Sequence, residues 1–238
     1  MLKKIIYLFI FVQFSCQGDI QEYPITIIPE IASDDSYNDT SNDVSSYLAL
    51  GDSYTIGEGV DEKDRWPNQL VEQLKLDKYF LDEPVIIAKT GWTTDELDAA
   101  IIDENITETY DLVTLLIGVN DQYRGRPVAN FRIHFIELLS KAIVLAKNNP
   151  ENVIVVSIPD WGVSPYASNF DRVKISNEID NFNKVKKEET LNRNAKFVDI
   201  TAISRLALNN DEFFVSDRLH FSGEMYGLWV AEIIRLCF

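Results

Sequence analysis

The sequence predicts an α/β fold built on one five-stranded parallel sheet, and three observations predict it. From Ser45 onward, short β-branched runs alternate with helical patterns. Those runs are continuously apolar rather than alternating, the pattern of strands covered on both faces. Each of the first four runs stops in a loop of turn-forming residues. Alternation of this kind builds βαβ units and a parallel sheet with helices on both sides.

Taken in order, the strands are expected at 47–50, 85–88, 112–117, 153–158 and 197–200. Helices are expected at 67–76, 93–102, 128–147 and 173–191, with a closing helix at 222–236. Trp66-Pro67 places a proline in a helix first turn, where its missing N–H costs nothing. Thr93 followed three residues later by Glu96 reads as a capping box. Ser222 is a cap without that reciprocal partner. No internal repeat or second break in composition appears. The 238 residues therefore carry one well-buried domain, expected over 45–238.

Composition narrows the function classes. A chain that is 46% apolar and 25% charged is ordinary for a globular protein. Its net charge of −16 and the lack of a basic stripe exclude a nucleic-acid partner, because binding phosphates requires clustered Lys and Arg. At the start, Lys3 and Lys4 precede an apolar run over 5–14 and then Ser15-Cys16. The run is too short to span a bilayer and fits a signal peptide over 1–15. A small residue before Cys resembles the cleavage box of bacterial lipoproteins, with Cys16 as the lipid-bearing residue. An exported, lipid-anchored protein at the bacterial cell envelope is expected, with plain secretion or an uncleaved anchor as the alternatives. Residues 16–44 carry no Lys or Arg and are rich in Asp, Ser and Asn, the composition of an acidic flexible tether. Residues 25–28 are its one stretch capable of docking as an edge strand. Cys237 is the other cysteine and reads as a buried apolar residue, so no disulfide framework is implied.

The chemistry lies in the loops after the strands. Tyr47-Leu48-Ala49-Leu50 runs into Gly51-Asp52-Ser53. Later loops hold Lys89-Thr90-Gly91-Trp92, Gly118-Val119-Asn120-Asp121 and Pro159-Asp160-Trp161-Gly162, and Asp217-Arg218-Leu219-His220 precedes the last helix. Loops at the carboxyl edge of a parallel sheet converge on one crevice. A serine hydroxyl becomes a nucleophile when a neutral imidazole takes its proton, and a carboxylate holds that imidazole in one tautomer. Ser53, His220 and Asp217 are the residues of those types. The spacing of Asp217 and His220 lets a single turn bring carboxylate and ring together. Backbone N–H groups of Ser53 and Gly91, with the Asn120 side-chain amide, are candidate donors to the oxyanion of an acyl-transfer intermediate.

GDSYTIGEG, the Gly91 turn, GVND and DRLH, in that order, resemble the consensus blocks of the SGNH (GDSL-type) hydrolase family. Ser53, Gly91, Asn120 and His220 match its four name-giving residues, and Asp217 matches its acid. The resemblance runs from Ser45 to the C-terminus. It implies a flavodoxin-like three-layer α/β sandwich and hydrolysis of an ester or thioester without a metal or other cofactor. The motif is not the elbow of α/β-hydrolases, because Thr55 stands where that elbow has its second glycine.

Several residues have a plainer reading beside the functional one. Asp52 is expected to hydrogen-bond neighbouring loops, Asp121 to stabilise its own loop, and His134 to lie on a packing or solvent face. Trp92 and Trp161, with Trp66, border the presumed crevice and are candidates to line the substrate pocket. Glu58 and Arg65 read as solvated charge or as contacts to a substrate head group. The expected function is a serine esterase for a small-molecule ester, lysophospholipase- or thioesterase-like. The alternative within the family is a carbohydrate O-acetylesterase acting on an acylated sugar. A non-catalytic ligand-binding surface lipoprotein is the reading from another class, and it requires a broken triad, which the sequence does not have.

Overall fold

The structure is a computed structural model and describes residues 44–238. The expected signal peptide, lipidation at Cys16 and 25–28 edge strand, and all but the last residue of the expected tether, lie outside the described residues. Five parallel strands form one sheet: β1 (Tyr47–Gly51), β2 (Val85–Ala88), β3 (Leu112–Leu116), β4 (Val153–Val156) and β5 (Lys196–Val198). Their order is β2-β1-β3-β4-β5. β1, β3 and β4 are buried along their whole length, as continuous apolar strands require. β2 and β5 are the edges and expose Val85 and Lys196.

Helices cover both faces and give the three-layer sandwich. On one side α2 (Trp66–Leu76) packs against α8 (Gly223–Cys237). On the other, α5 (Val128–Leu145) lies between α3 (Thr94–Asp103) and α6 (Arg172–Asn192). α5 turns Phe131, Phe135, Leu138, Leu139, Ala142 and Leu145 inward, an apolar stripe at helical spacing. α8 does the same with Met225, Tyr226, Trp229, Val230 and Ile233. No helix among the described residues is long and apolar enough to cross a membrane.

The boundaries depart from expectation in physically explicable ways. β4 stops at Val156: the Ser157 N–H still donates to the Val198 carbonyl at 2.9 Å, but its hydroxyl engages the Asp199–Thr201 turn. β5 begins at Lys196 and ends at Val198, and the chain then coils into the short α7 (Thr201–Ser204). Two further short helices, α1 (Ser53–Ile56) and α4 (Val119–Tyr123), directly follow β1 and β3. Thr93 caps α3, with the Glu96 carboxylate accepting its N–H at 2.9 Å. Ser222 precedes α8 but makes no side-chain cap bond.

Strand order reverses between β1 and β3, since the chain steps one way to β2 and the other way to β3. A crevice opens at the carboxyl ends of the strands flanking such a switch. The residues just past β1 and β3 are Asp52-Ser53 and Gly118-Val119-Asn120.

Candidate active site

The site is built on the turn out of β1. At Gly51 a Cβ would lie 2.6 Å from the Leu116 carbonyl oxygen and 2.0 Å from Thr55 Oγ1, so only glycine lets β1 end against β3. The Asp52 side chain caps α1 by accepting the Tyr54 N–H at 3.1 Å. Ser53 is therefore the first residue of a helix, and its own N–H has no helical partner. Asp52 bonds its own turn and not the neighbouring loops expected of it, and its second carboxylate oxygen is buried without a partner. Burial pushes the Asp52 carboxyl up to about 7, opposed by the Tyr54 N–H and by the Lys186 ammonium.

Gly91 follows β2 with φ +87°, a left-handed conformation. A Cβ there would meet nothing nearer than Arg124 at 3.9 Å. Backbone angle, and not crowding, is what calls for glycine. Asn120 sits on α4, and its Nδ2 donates to the Trp92 carbonyl at 2.9 Å. That bond fixes the amide and leaves its second N–H for a ligand. Arg124 Nη2 donates to the Gly91 carbonyl at 2.7 Å. Asp121, fully buried, accepts the Thr94 N–H at 3.0 Å, the Thr94 hydroxyl at 2.8 Å and Arg126 at 3.2 Å. Burial pulls the Asp121 carboxyl upward against those bonds. The Gly91 and Asn120 loops are thus tied to each other, with Asp121 in the loop-stabilising role.

His220 is carried by a short loop clasped at both ends, by the antiparallel bridge of Phe214 with Phe221 and by Val215 N–H on the His220 carbonyl at 2.9 Å. Inside it, Asp217 Oδ2 lies 2.5 Å from His220 Nδ1. Asp217 Oδ1 accepts the N–H groups of Leu219 and His220 at 2.8 and 2.9 Å. Partial burial pulls this carboxyl up, but the His220 ring and the two amides outweigh it and hold the group below its usual range. The Tyr54 ring stands edge-on to the imidazole at 5.6 Å between centroids.

Ser53, Gly91, Asn120, Trp161 and His220 line one cavity of about 180 Å³, with Tyr54, Thr90, Val119, Tyr123 and Leu219. Asp217 stands behind the imidazole, outside that lining. No hydrogen bond joins Ser53 to His220 in this structure, and such contacts commonly tighten only when substrate binds. Trp66 corrects the sequence reading, and Trp92 is not among the residues that line the cavity. Trp92 packs against the core because the chain there is already turning into α3, and Trp66 is buried at the start of α2. Arg65 packs its stem at Gly57, while Glu58 accepts the Thr90 hydroxyl, a tie between loops. His134 is on the surface near Glu137. Among the described residues no group of three or more His, Cys, Asp and Glu is placed to hold a metal ion.

One residue escaped the sequence reading altogether. Lys186 of α6 is fully buried and donates to the carbonyls of Ile117 at 2.9 Å and Val156 at 2.8 Å. These carbonyls close β3 and β4 just beneath the Asn120 and Trp161 loops. Burial lowers its ammonium to about 7, against the pull of Asp52 and Asp121. The signal was present: Ile175, Ile179, Phe182 and Lys186 follow one another at helical spacing, so the lysine occupies a core-facing slot.

Comparison with known proteins agrees with this architecture. The chain is similar in structure to an acetyl-xylooligosaccharide esterase from Geobacillus Stearmophilus, with a TM-score of 0.64 and 19% identity over 81% of this chain and 94% of that one. It is similar also to the lipase/acylhydrolase from Enterococcus faecalis, at 0.58 and 24% over 80% and 93%, and to TesA, at 0.63 and 17% over 80% and 97%. At those identities the likeness shows the fold. No curated protein matches it in sequence. The model of the GDSL-like lipase/acylhydrolase family matches residues 49–228, and the chain belongs to that family of ester-hydrolysing enzymes.

Proposed function

We propose that the protein is a serine esterase in which Ser53 is the nucleophile, His220 the general base and acid, and Asp217 the residue that orients His220. The observation that carries this reading is the convergence of Ser53, Gly91, Asn120 and His220 on one cavity, with the imidazole Nδ1 held by Asp217 at 2.5 Å. The Ser53 hydroxyl attacks the ester carbonyl carbon and its proton passes to His220 Nε2. The carbonyl oxygen becomes an oxyanion facing the Ser53 and Gly91 N–H groups and the second Asn120 N–H. Collapse expels the alcohol, which takes the proton from His220. Water then cleaves the acyl-serine by the same steps, returning the proton to Ser53.

The cavity speaks for a short acyl group. About 180 Å³ lies below the roughly 300–1,000 Å³ of pockets for drug-sized ligands. That favours small acyl esters over the long chain of a lysophospholipid. Export and a lipid anchor at Cys16 belong to the same proposal and rest on residues 1–16 alone.

Purified Ser53→Ala should lose turnover by several orders of magnitude while keeping its fold. A serine-directed phosphonate should label Ser53 and no other serine. Retained esterase activity in the variant would sink the assignment. Across p-nitrophenyl esters, rates should fall beyond short chains. Cys16→Ser should move the protein from the membrane fraction to the soluble one with unchanged specific activity, whereas a soluble, unlabelled wild type would mean plain secretion.

A further inference from the structure

Next to the catalytic cavity lies a second one of about 470 Å³, and Tyr123 and Trp161 are walls of both. Phe170, Asp171, Lys174 and Glu178 contribute to the rest of its lining. The aromatic residues form one contiguous surface. Trp161 meets Tyr123 and Phe170 edge-on, each at 5.4 Å between centroids. Tyr166 stacks on Phe170 at 5.7 Å, and its hydroxyl lies 3.2 Å from that of Tyr123. Tyr123, Tyr166 and Phe170 are 50%, 41% and 46% exposed. Three large rings standing in water around a buried tryptophan are an unusual expense for a surface with no ligand to cover them.

The surface is also held still. Trp161 Nε1 donates to Gln122 at 2.8 Å, and Gln122 is in turn bonded to Glu178 at 2.7 Å. The Tyr166 N–H donates to the Arg218 carbonyl at 3.0 Å, which ties the aromatic surface to the loop bearing Asp217 and His220. A rigid surface fixed to the catalytic loop is what positioning the rest of a substrate requires.

We infer that this aromatic basin is the subsite for the alcohol part of the ester, and that the alcohol is a saccharide acylated on one hydroxyl. The inference rests on the proposed esterase reading and names its substrate class. Flat ring faces match the C–H faces of a sugar ring, which are apolar while its edges are polar. Asp171, Lys174 and Glu178 supply acceptors and donors for those edge hydroxyls at the rim. The walls shared with the catalytic cavity are aromatic, not the aliphatic tunnel an acyl chain would fill. A net charge of −16 further disfavours an anionic lipid head group. The volume lies within the range of ligand pockets, room for a saccharide unit and its neighbour's edge.

The test compares two acetate esters that differ only in alcohol, acetylated xylobiose and ethyl acetate, with acetate release followed by pH-stat on the full chain. In the wild type, kcat/KM should favour the sugar ester by about a hundredfold. Tyr166→Ala and Phe170→Ala, both on the surface, should each lower that ratio by about tenfold, mainly through KM. With no variant at all, unacetylated xylotriose should compete with the sugar ester and leave ethyl acetate hydrolysis much less affected. In Ser53→Ala, acetylated xylobiose should still change the tryptophan fluorescence, since binding does not need the nucleophile. A wild-type ratio near one, or a ratio that neither variant moves, overturns the inference. So does a lysophospholipid that loses rate in these variants while the sugar ester does not. If Ser53→Ala stays active the catalytic reading fails, and if it is dead while the ratio is flat only the saccharide assignment fails.

Discussion

The two sides of the proposed catalytic cavity are held in opposite ways. On the His220 side, every positioning contact of Asp217 falls within four consecutive residues: one carboxylate grips the ring it serves and the two amides that shape its turn. On the oxyanion side, Gly91 and Asn120 come from separate loops and are aligned by long-range ties. Asn120 holds the Trp92 carbonyl, Arg124 holds the Gly91 carbonyl, Asp121 holds Thr94, and Lys186 braces the strand ends from below. A base that must accept and return a proton needs one orientation, which a single turn provides. Donors aimed at a developing charge need a fixed mutual geometry, which only tertiary structure provides.

Breaking the local side should cost most. Asp217→Asn keeps an oxygen for the two amides but removes the charge that stabilises the imidazolium, and kcat should fall by about 10³-fold or more at nearly constant KM. A loss shared by KM would mean that Asp217 shapes binding instead. On the other side, Asn120→Ala should lower kcat by about 10²–10³-fold with KM little changed. If KM rises and kcat holds, Asn120 acts in ground-state binding. Lys186→Met leaves two buried carbonyls without a donor and should reduce unfolding free energy by about 3 kcal/mol in urea titrations. An unchanged midpoint would show that the brace is dispensable.

The smallest effect is in the pH profile. The hydrogen bonds to Asp217 depress its titration, so the stability it contributes is present above the ordinary carboxylate range and is lost only as pH falls through the lowered folded value. Asp217 therefore stays ionised through the ordinary carboxylate range, and a protonated imidazole cannot act as base. The acid limb of log kcat/KM should have unit slope. A slope of two would place the carboxylate in the same titration and weaken the contrast between the two sides.

That contrast also explains what the sequence made legible. Continuous apolar runs announce central strands, so β1, β3 and β4 could be read from composition alone. DxxH is one turn long, and its geometry is implicit in its spacing. Short helices such as α1, α4 and α7 contain too few residues to display a period. The edge strand β5, expected at 197–200, lies at Lys196–Val198; its start is obscured because the first residue is Lys196, exposed and charged. Trp92 and Trp161 look equivalent on paper, each in a loop after a strand, yet only Trp161, the more deeply buried of the two, lines the cavity. Lys186 was hidden by the ordinary expectation that lysine faces water. Its partners are two carbonyls distant in the chain, and no window of sequence displays them.

The loop from Phe214 to Phe221 bears on the order in which the molecule comes apart. Two of its amides, those of Leu219 and His220, are held by a carboxylate that is itself 41% exposed, whereas those of the central strands are sealed in the sheet. A segment held by solvent-accessible bonds opens at a fraction of the free energy of global unfolding. The amides of Leu219 and His220 should therefore exchange with deuterium well before those of β1 and β3. On warming, activity should be lost while the sheet is still intact.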